Sequence, residues 1–253
     1  MKLMTDTWLV YQRYLNLLLR NPAWVIIGVL QPLLYLLLFA PMLKSIASTP
    51  GFPSGGAYNV FVPGLLIQLA LFGASGVGFG LIAELREGVV ERLRVTPVSR
   101  LALLLGRSLR DIMTLLIQSV ILVVAALPFG LNLHPIGLLI MLALLALVGL
   151  LMASVSYALA LWLRNEDSFA PLLFTATLPL LLLSGVLLPL SLAPTWLRRV
   201  ADADPLSYAV DAARAIFNNH PGETSVVKGI VIIGILAAIS VVFAARSFGQ
   251  AIA

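Results

Sequence analysis

Apolar residues fall into six long blocks along this chain. They run near Ala23–Leu43, Val60–Ala83, Leu109–Leu131, Ile136–Leu163, Phe169–Leu190 and Val226–Ala245. A helical span of a bilayer needs about 20 mostly apolar residues, each rising roughly 1.5 Å. All six blocks meet that length, so the pattern predicts six transmembrane helices. The third and fourth are parted by Leu127-Pro128-Phe129-Gly130-Leu131-Asn132-Leu133-His134-Pro135. Two prolines, a glycine and an asparagine there predict a turn.

The polar stretches between the blocks carry their own periodicities. In residues 1–22, Met4, Trp8, Tyr11, Leu15 and Leu18 recur at helical spacing, with Asp6, Arg13, Asn16 and Arg20 mostly off that stripe. This predicts an amphipathic interfacial helix with Trp8 and Tyr11 at headgroup level. No cleaved leader is expected, because the first apolar block is too long for a signal peptide's core. Residues 84–100 are dense in charge and sit between two apolar blocks. Leu85, Val89 and Leu93 form one apolar stripe among Glu84, Arg86, Glu87, Glu91, Arg92 and Arg94. The expected structure is a short amphipathic helix, weakened at Gly88 and ended by Thr96-Pro97. Its glutamates disfavour an anionic lipid surface and favour a protein groove. Residues 191–225 predict two short helices broken at Asp204-Pro205. Pro194 stands in the first turn of one helix, and Asp211 and Arg214 form an i, i+3 pair on the other.

Composition fixes the class. The chain is 60% hydrophobic and 11% charged over 253 residues, with a mean hydropathy of +1.04. A soluble globule of this size could not bury so much apolar surface, so lipid is its main solvent. The formal charge of +5 needs no nucleic acid partner, since membrane-facing arginines account for it. There are no cysteines, which removes disulfides and thiolate chemistry. Six spans put both termini on one side. Eleven of the 16 basic residues fall on that side, which the positive-inside rule assigns to the cytoplasm.

The blocks themselves lack ionisable residues near their centres. That disfavours a proton-relay transporter and intramembrane acid–base catalysis. His134 and His220 have no metal-ligand spacing around them. Gly73, Gly76, Gly78 and Gly80 predict close helix packing. Gln31, Gln68, Thr175 and Ser184, with Gln118 and Thr177, are uncharged polar groups within blocks. The first four are candidate lining for a pathway that suits an amphiphilic cargo better than an ion.

Two motifs carry a family resemblance. Glu84 to Arg100, followed by Leu105-Gly106-Arg107, resembles the signature loop of type-2 ATP-binding-cassette exporter permeases. Leu183 to Leu190, Pro194-Thr195-Trp196-Leu197 and Asp204-Pro205-Leu206-Ser207-Tyr208, with Asp211 and Arg214, resemble the drug-resistance, daunorubicin-type branch. The resemblance implies an all-α membrane protein in which residues 1–253 form one permease domain. Residues 1–22 would be an elbow helix, and 84–100 a cytoplasmic coupling loop. Residues 191–225 would hold short re-entrant outer helices between spans five and six. It implies ATPase contacts at Arg86, Glu87, Glu91, Arg92 and Arg94, and an outer gate at Pro194, Trp196, Asp211 and Arg214. The only lysines, Lys2, Lys44 and Lys228, lie in no GxxxxGK[ST] motif. No cofactor is therefore expected on this chain, with ATP and Mg on a separate ATPase subunit. A second permease copy or paralogue and the lipid bilayer complete the expected partners. The expected setting is a bacterial or archaeal cell membrane. Two other readings stay open: a permease for a lipid-linked sugar or polysaccharide, and a non-transporting membrane assembly factor.

Overall fold

The computed structural model describes residues 2–21, 23–38, 41–42, 56–90, 98–131, 134–187 and 189–251. Among them the regular structure is entirely helical. The elements are α1 (Lys2–Arg20), α2 (Ala23–Leu38), α3 (Ala57–Ser75), α4 (Val77–Arg86), α5 (Arg100–Ala126), α6 (Pro135–Leu163), α7 (Glu166–Leu183), α8 (Thr195–Ala201), α9 (Pro205–Phe217) and α10 (Thr224–Ala251). Single 3-10 turns cover Leu127–Phe129 and Leu190–Leu192. Among the described residues, five stretches are long and apolar enough to cross a membrane, with α3 and α4 acting as one. The count rises to six if the bent pair α1–α2 is taken as one span.

Five predicted blocks reappear with shifted ends, whereas the first is seen as the 16-residue α2, too short to count as a span by itself. The fifth stops at Leu183 rather than Leu190, because Gly185 turns the chain with a positive φ of 74°. The third begins nine residues early, at Arg100. Ser99 Oγ caps that end by accepting the N–H of Ala102. Arg107, Arg110 and Asp111 therefore lie two to three turns inside a helix rather than at its edge.

α3 is the central helix. It is buried on all sides, which fits a sequence apolar around its whole circumference. It packs against α6, α9, α5 and α2, while α10 covers α6 and α9. The outward faces of α2, α7 and α10 show Ile26, Leu30, Phe174, Leu182, Ile235 and Phe243 to the surroundings, as lipid-facing helices do.

The second span breaks between Ser75 and Val77. In hydrocarbon a broken helix must find new partners for its freed backbone groups. Ser156, from α6, supplies both. Its Oγ donates to the carbonyl of Ser75 at 2.5 Å and accepts the N–H of Gly78 at 2.9 Å. Close approach makes this possible, since a Cβ on Gly78 would lie 2.5 Å from Phe169 Cζ and 2.9 Å from the Ser156 carbonyl. The packing role expected of the glycine cluster thus falls to Gly78. Gly73 and Gly80 have nothing within 4 Å of a would-be Cβ and face open space.

One buried face is added and one expectation is corrected. On α1 the buried face is Val10, Tyr14 and Leu18, so of the predicted stripe only Leu18 is buried. Met4 and Trp8 are exposed, with the Trp8 and Tyr11 rings 5.2 Å apart. The helix has to pack on α5 with one side, which leaves most of the longer apolar stripe turned away. The charged loop does not begin as one continuous helix. α4 ends at Arg86 and Gly88 takes a φ of 67°, a left-handed turn that glycine adopts without strain. Val90 beyond it is buried against α4 and α6 residues.

Ser156→Ala should expose two buried backbone groups at the α3–α4 break. Each unmet group costs about 1–3 kcal/mol, so the purified variant should melt well below the parent. An unchanged melting temperature would show that the break is satisfied some other way.

Candidate functional site: a neutralised charge network at the foot of an apolar slot

The charges inside α5 are held by side chains from three other helices. Glu84 of α4 accepts the hydroxyl of Tyr14 from α1 at 2.9 Å. The same carboxylate oxygen pairs with the guanidinium of Arg107, which also stacks 4.7 Å from the centre of the Tyr14 ring. One helical turn along α5, Asp111 pairs with Arg110 through one oxygen and accepts the hydroxyl of Tyr157 from α6 through the other. Arg107 and Asp111 are buried. Two cations face two anions, so the network is neutral. Neutrality and the hydrogen bonds made are what allow such groups below a membrane surface, although Arg107 Nε and Arg110 Nε are left without a partner. Tyr14, Glu84, Arg107, Arg110, Asp111 and Tyr157 together surround a small cavity of about 50 Å³.

Above Arg110 and Asp111 opens a cavity of about 560 Å³. Its walls are mainly apolar and come from α1, α2, α3, α4 and α5, including Phe72, Gly76, Val77, Phe79 and Leu115. Thr114 and Gln118 add polar groups along α5. Gln118 Nε2 donates to the Val25 carbonyl at 3.0 Å, which pins α2 to α5. A second cavity of about 230 Å³ shares Ile27, Gly28, Phe72 and Gly73 with the first and adds Gln31, Pro32, Gln68 and Leu69. The two form one slot. From Gly80 to Gln68 it spans twelve residues of the second span, roughly 18 Å.

The four pathway candidates separate here. Gln31 and Gln68 line the slot together. Thr175 is exposed on the outer face of α7. Ser184 is buried and gives its hydroxyl to the Leu181 carbonyl. The coupling candidates are only partly described. Glu91, Arg92 and Arg94 lie outside the described residues. Arg86 pairs with Glu166 at 3.1 Å on an exposed surface, a contact worth about 0–1 kcal/mol. Glu87 follows α4 and donates its N–H to the Ala83 carbonyl. Glu84, which the sequence places in the loop, belongs to the buried network.

At the opposite end, the predicted gate residues lie on two short helices, Pro194 and Trp196 at α8 and Asp211 and Arg214 in α9. Pro194 caps α8, and Trp196 is exposed on it. Arg214 is buried in α9. Its hydrogen bonds go to the carbonyls of Val60 (3.2 Å) and Gly185 (2.7 Å), not to Asp211. Arg214 therefore ties α9 to the start of α3 and to the turn after α7. Asp204 caps α9 by accepting the Leu206 N–H at 2.9 Å. Burial raises its pKa to about 6, against the pull of that N–H.

Sequence reading missed Tyr14, Asp111 and Tyr157. Their partners lie on other helices, so no local spacing marks them. The one available signal was a carboxylate, Asp111, followed by a long uncharged run.

The family of ABC-2 type transporters matches residues 5–218 of this chain. The ycf38 transport permease of Porphyra purpurea is 31% identical over 205 residues, covering 79% of this chain and 69% of the relative. The same-named permease of Cyanophora paradoxa is 27% identical, covering 85% and 74%. The daunorubicin resistance ABC transporter permease protein DrrB1 of Streptomyces coeruleorubidus is 25% identical, covering 79% and 71%. The match takes in most of α1, the network, the slot and the short helices α8 and α9, and on it the chain belongs to the ABC-2 type transporter permease family.

Proposed function

We propose that this chain is the membrane permease subunit of an ATP-driven exporter. Its cargo is an amphiphilic, drug-like or lipid-like molecule taken from the cytoplasm or inner leaflet. The slot carries this reading. It is long, mainly apolar, lined by amides at intervals and closed below by a charge network that is already neutral. A small ion would find no unpaired charge there, whereas an amphiphile would find an apolar wall and a few polar contacts. Two relatives named for daunorubicin and doxorubicin resistance favour the same cargo class.

Export needs a partner. In this reading a separate ATPase subunit holds ATP and Mg and docks on the 84–100 loop through Arg86, Glu87, Glu91, Arg92 and Arg94. A second permease copy or paralogue completes the pathway. The loop lies next to the network, because Glu84 sits two residues before Arg86. Motion of the loop would reach α5 through Arg107 and α1 through Tyr14, as packed elements with two arrangements allow. The residues Pro194, Trp196, Asp211 and Arg214 would form the outer gate, with Arg214 holding α9 closed against α3. Both termini and the loop face the cytoplasm on the basic-residue count.

The direct test is ATPase activity of the permease–ATPase complex in lipid, across drugs, lipids and glycolipids. Amphiphilic drugs or lipids should stimulate it several-fold. Gly73→Trp, which fills the open slot, should remove that stimulation while the complex still assembles. Stimulation by glycolipids alone would favour the saccharide reading. Full stimulation of the Trp variant would take the slot out of the pathway.

The network makes its own prediction. Glu84→Leu or Arg107→Met alone leaves a buried charge without its partner, at a cost of about 3–5 kcal/mol. The double variant removes both charges and should be more stable than either single one by thermal unfolding. Additive losses would mean that the two residues act independently.

A further inference from the structure

Most buried polar side chains described here have found a partner. Gln118 donates to Val25, and Ser119, Ser184 and Ser240 return their hydroxyls to their own helices. Gln68 departs from this. It is 2% exposed, and its Oε1 is buried and accepts no hydrogen bond from any described residue. Ser108 and Ser154 also hold unpaired hydroxyls, but neither lines the slot. Gln68 does line it, opposite Gln31 and Pro32 of α2 and one turn from Phe72.

An unpaired amide in the middle of an apolar helix is costly and gives the fold nothing. Leucine would fill the site with less penalty. The amide gains a purpose only if something else occupies the slot and meets it. At the lower end of the slot Arg110 Nε is also buried without a partner, but the same guanidinium is already paired with Asp111 through its Nη1.

We infer that Gln68 is the specificity-determining residue of the slot, and that it selects amphiphiles bearing a hydroxyl group within or beside their apolar body. The hydroxyl donates to the amide oxygen. If the amide is turned over, the same hydroxyl accepts from its nitrogen, so one ligand group satisfies both orientations. The apolar remainder lies along Phe72, Gly73 and Gly76, where the glycines leave room. Cargo lacking the hydroxyl would leave the amide unpaired and bind more weakly, which is how polar pockets reject apolar analogues. This inference rests on the slot being the cargo path, but its test needs neither ATP nor the partner subunit.

The full chain in lipid nanodiscs would be titrated with two fluorescent amphiphiles that differ only by a hydroxyl, pyrenebutanol and butylpyrene. The parent should bind pyrenebutanol roughly ten-fold more tightly. Gln68→Leu should lose that preference and bind both as the parent binds butylpyrene, with a melting temperature equal to or above the parent's. Gln68→Asn, which keeps the amide on a shorter arm, should restore part of the preference. Equal binding of the two probes by the parent would overturn the inference and leave the transport reading standing. A preference that survives Gln68→Leu, or a Leu variant that melts far lower, would also overturn it, the latter because the amide would then be structural. Binding of neither probe would overturn both the inference and the slot as a cargo site.

Discussion

A charge stays inside a membrane helix when the protein neutralises it and meets most of its hydrogen bonds. In α5 that constraint is met by a single network. Arg107, Arg110 and Asp111 enter α5 because Glu84, Tyr14 and Tyr157 meet them from α4, α1 and α6. Four helices are thereby fixed at the same level. The orientation of α1 follows, since Tyr14 has to face inward. The floor of the slot follows as well, since Arg110 and Asp111 form it.

The rest of the architecture applies the same rule to the backbone. The second span breaks at Ser75–Val77, and a serine from α6 meets both freed groups. At the far end, carbonyls of Val60 and Gly185 are met by Arg214. Each device joins elements distant in sequence. The broken span and the open glycines on its other face are two sides of one feature. Gly78 lets α4 press against α6, while Gly73 and Gly80 leave the slot unfilled.

Much of this was legible in the sequence. Lipid demands long apolar runs, so the runs announce the helices wherever they sit. The short helices after the fifth block were legible too, because Asp204-Pro205 is a start signal. What failed to show was the beginning of α5. A cluster of Arg and Asp looks like the end of a span, since the carboxylate that neutralises Arg107 lies 23 residues away and the hydroxyl that meets Asp111 lies 46 away. On α1, periodicity found the apolar stripe but not the buried face, because Val10 and Tyr14 are buried by contact with α5. At the slot, Gln31 and Gln68 stood out only as two of several uncharged polar residues within the apolar blocks. Only the fold separates those two from Thr175 and Ser184.

The central claim is that cargo lies in the slot beside Gly73. The chain has no cysteine, so Gly73→Cys and Ile235→Cys each provide a single thiol, one in the slot and one on the outward face of α10. Their rates of modification by a small maleimide would be measured in the reconstituted complex, with and without an amphiphile that stimulates its ATPase. The account predicts that the amphiphile slows labelling at residue 73 and leaves residue 235 unchanged. Equal labelling of Gly73→Cys in its presence and absence would contradict it.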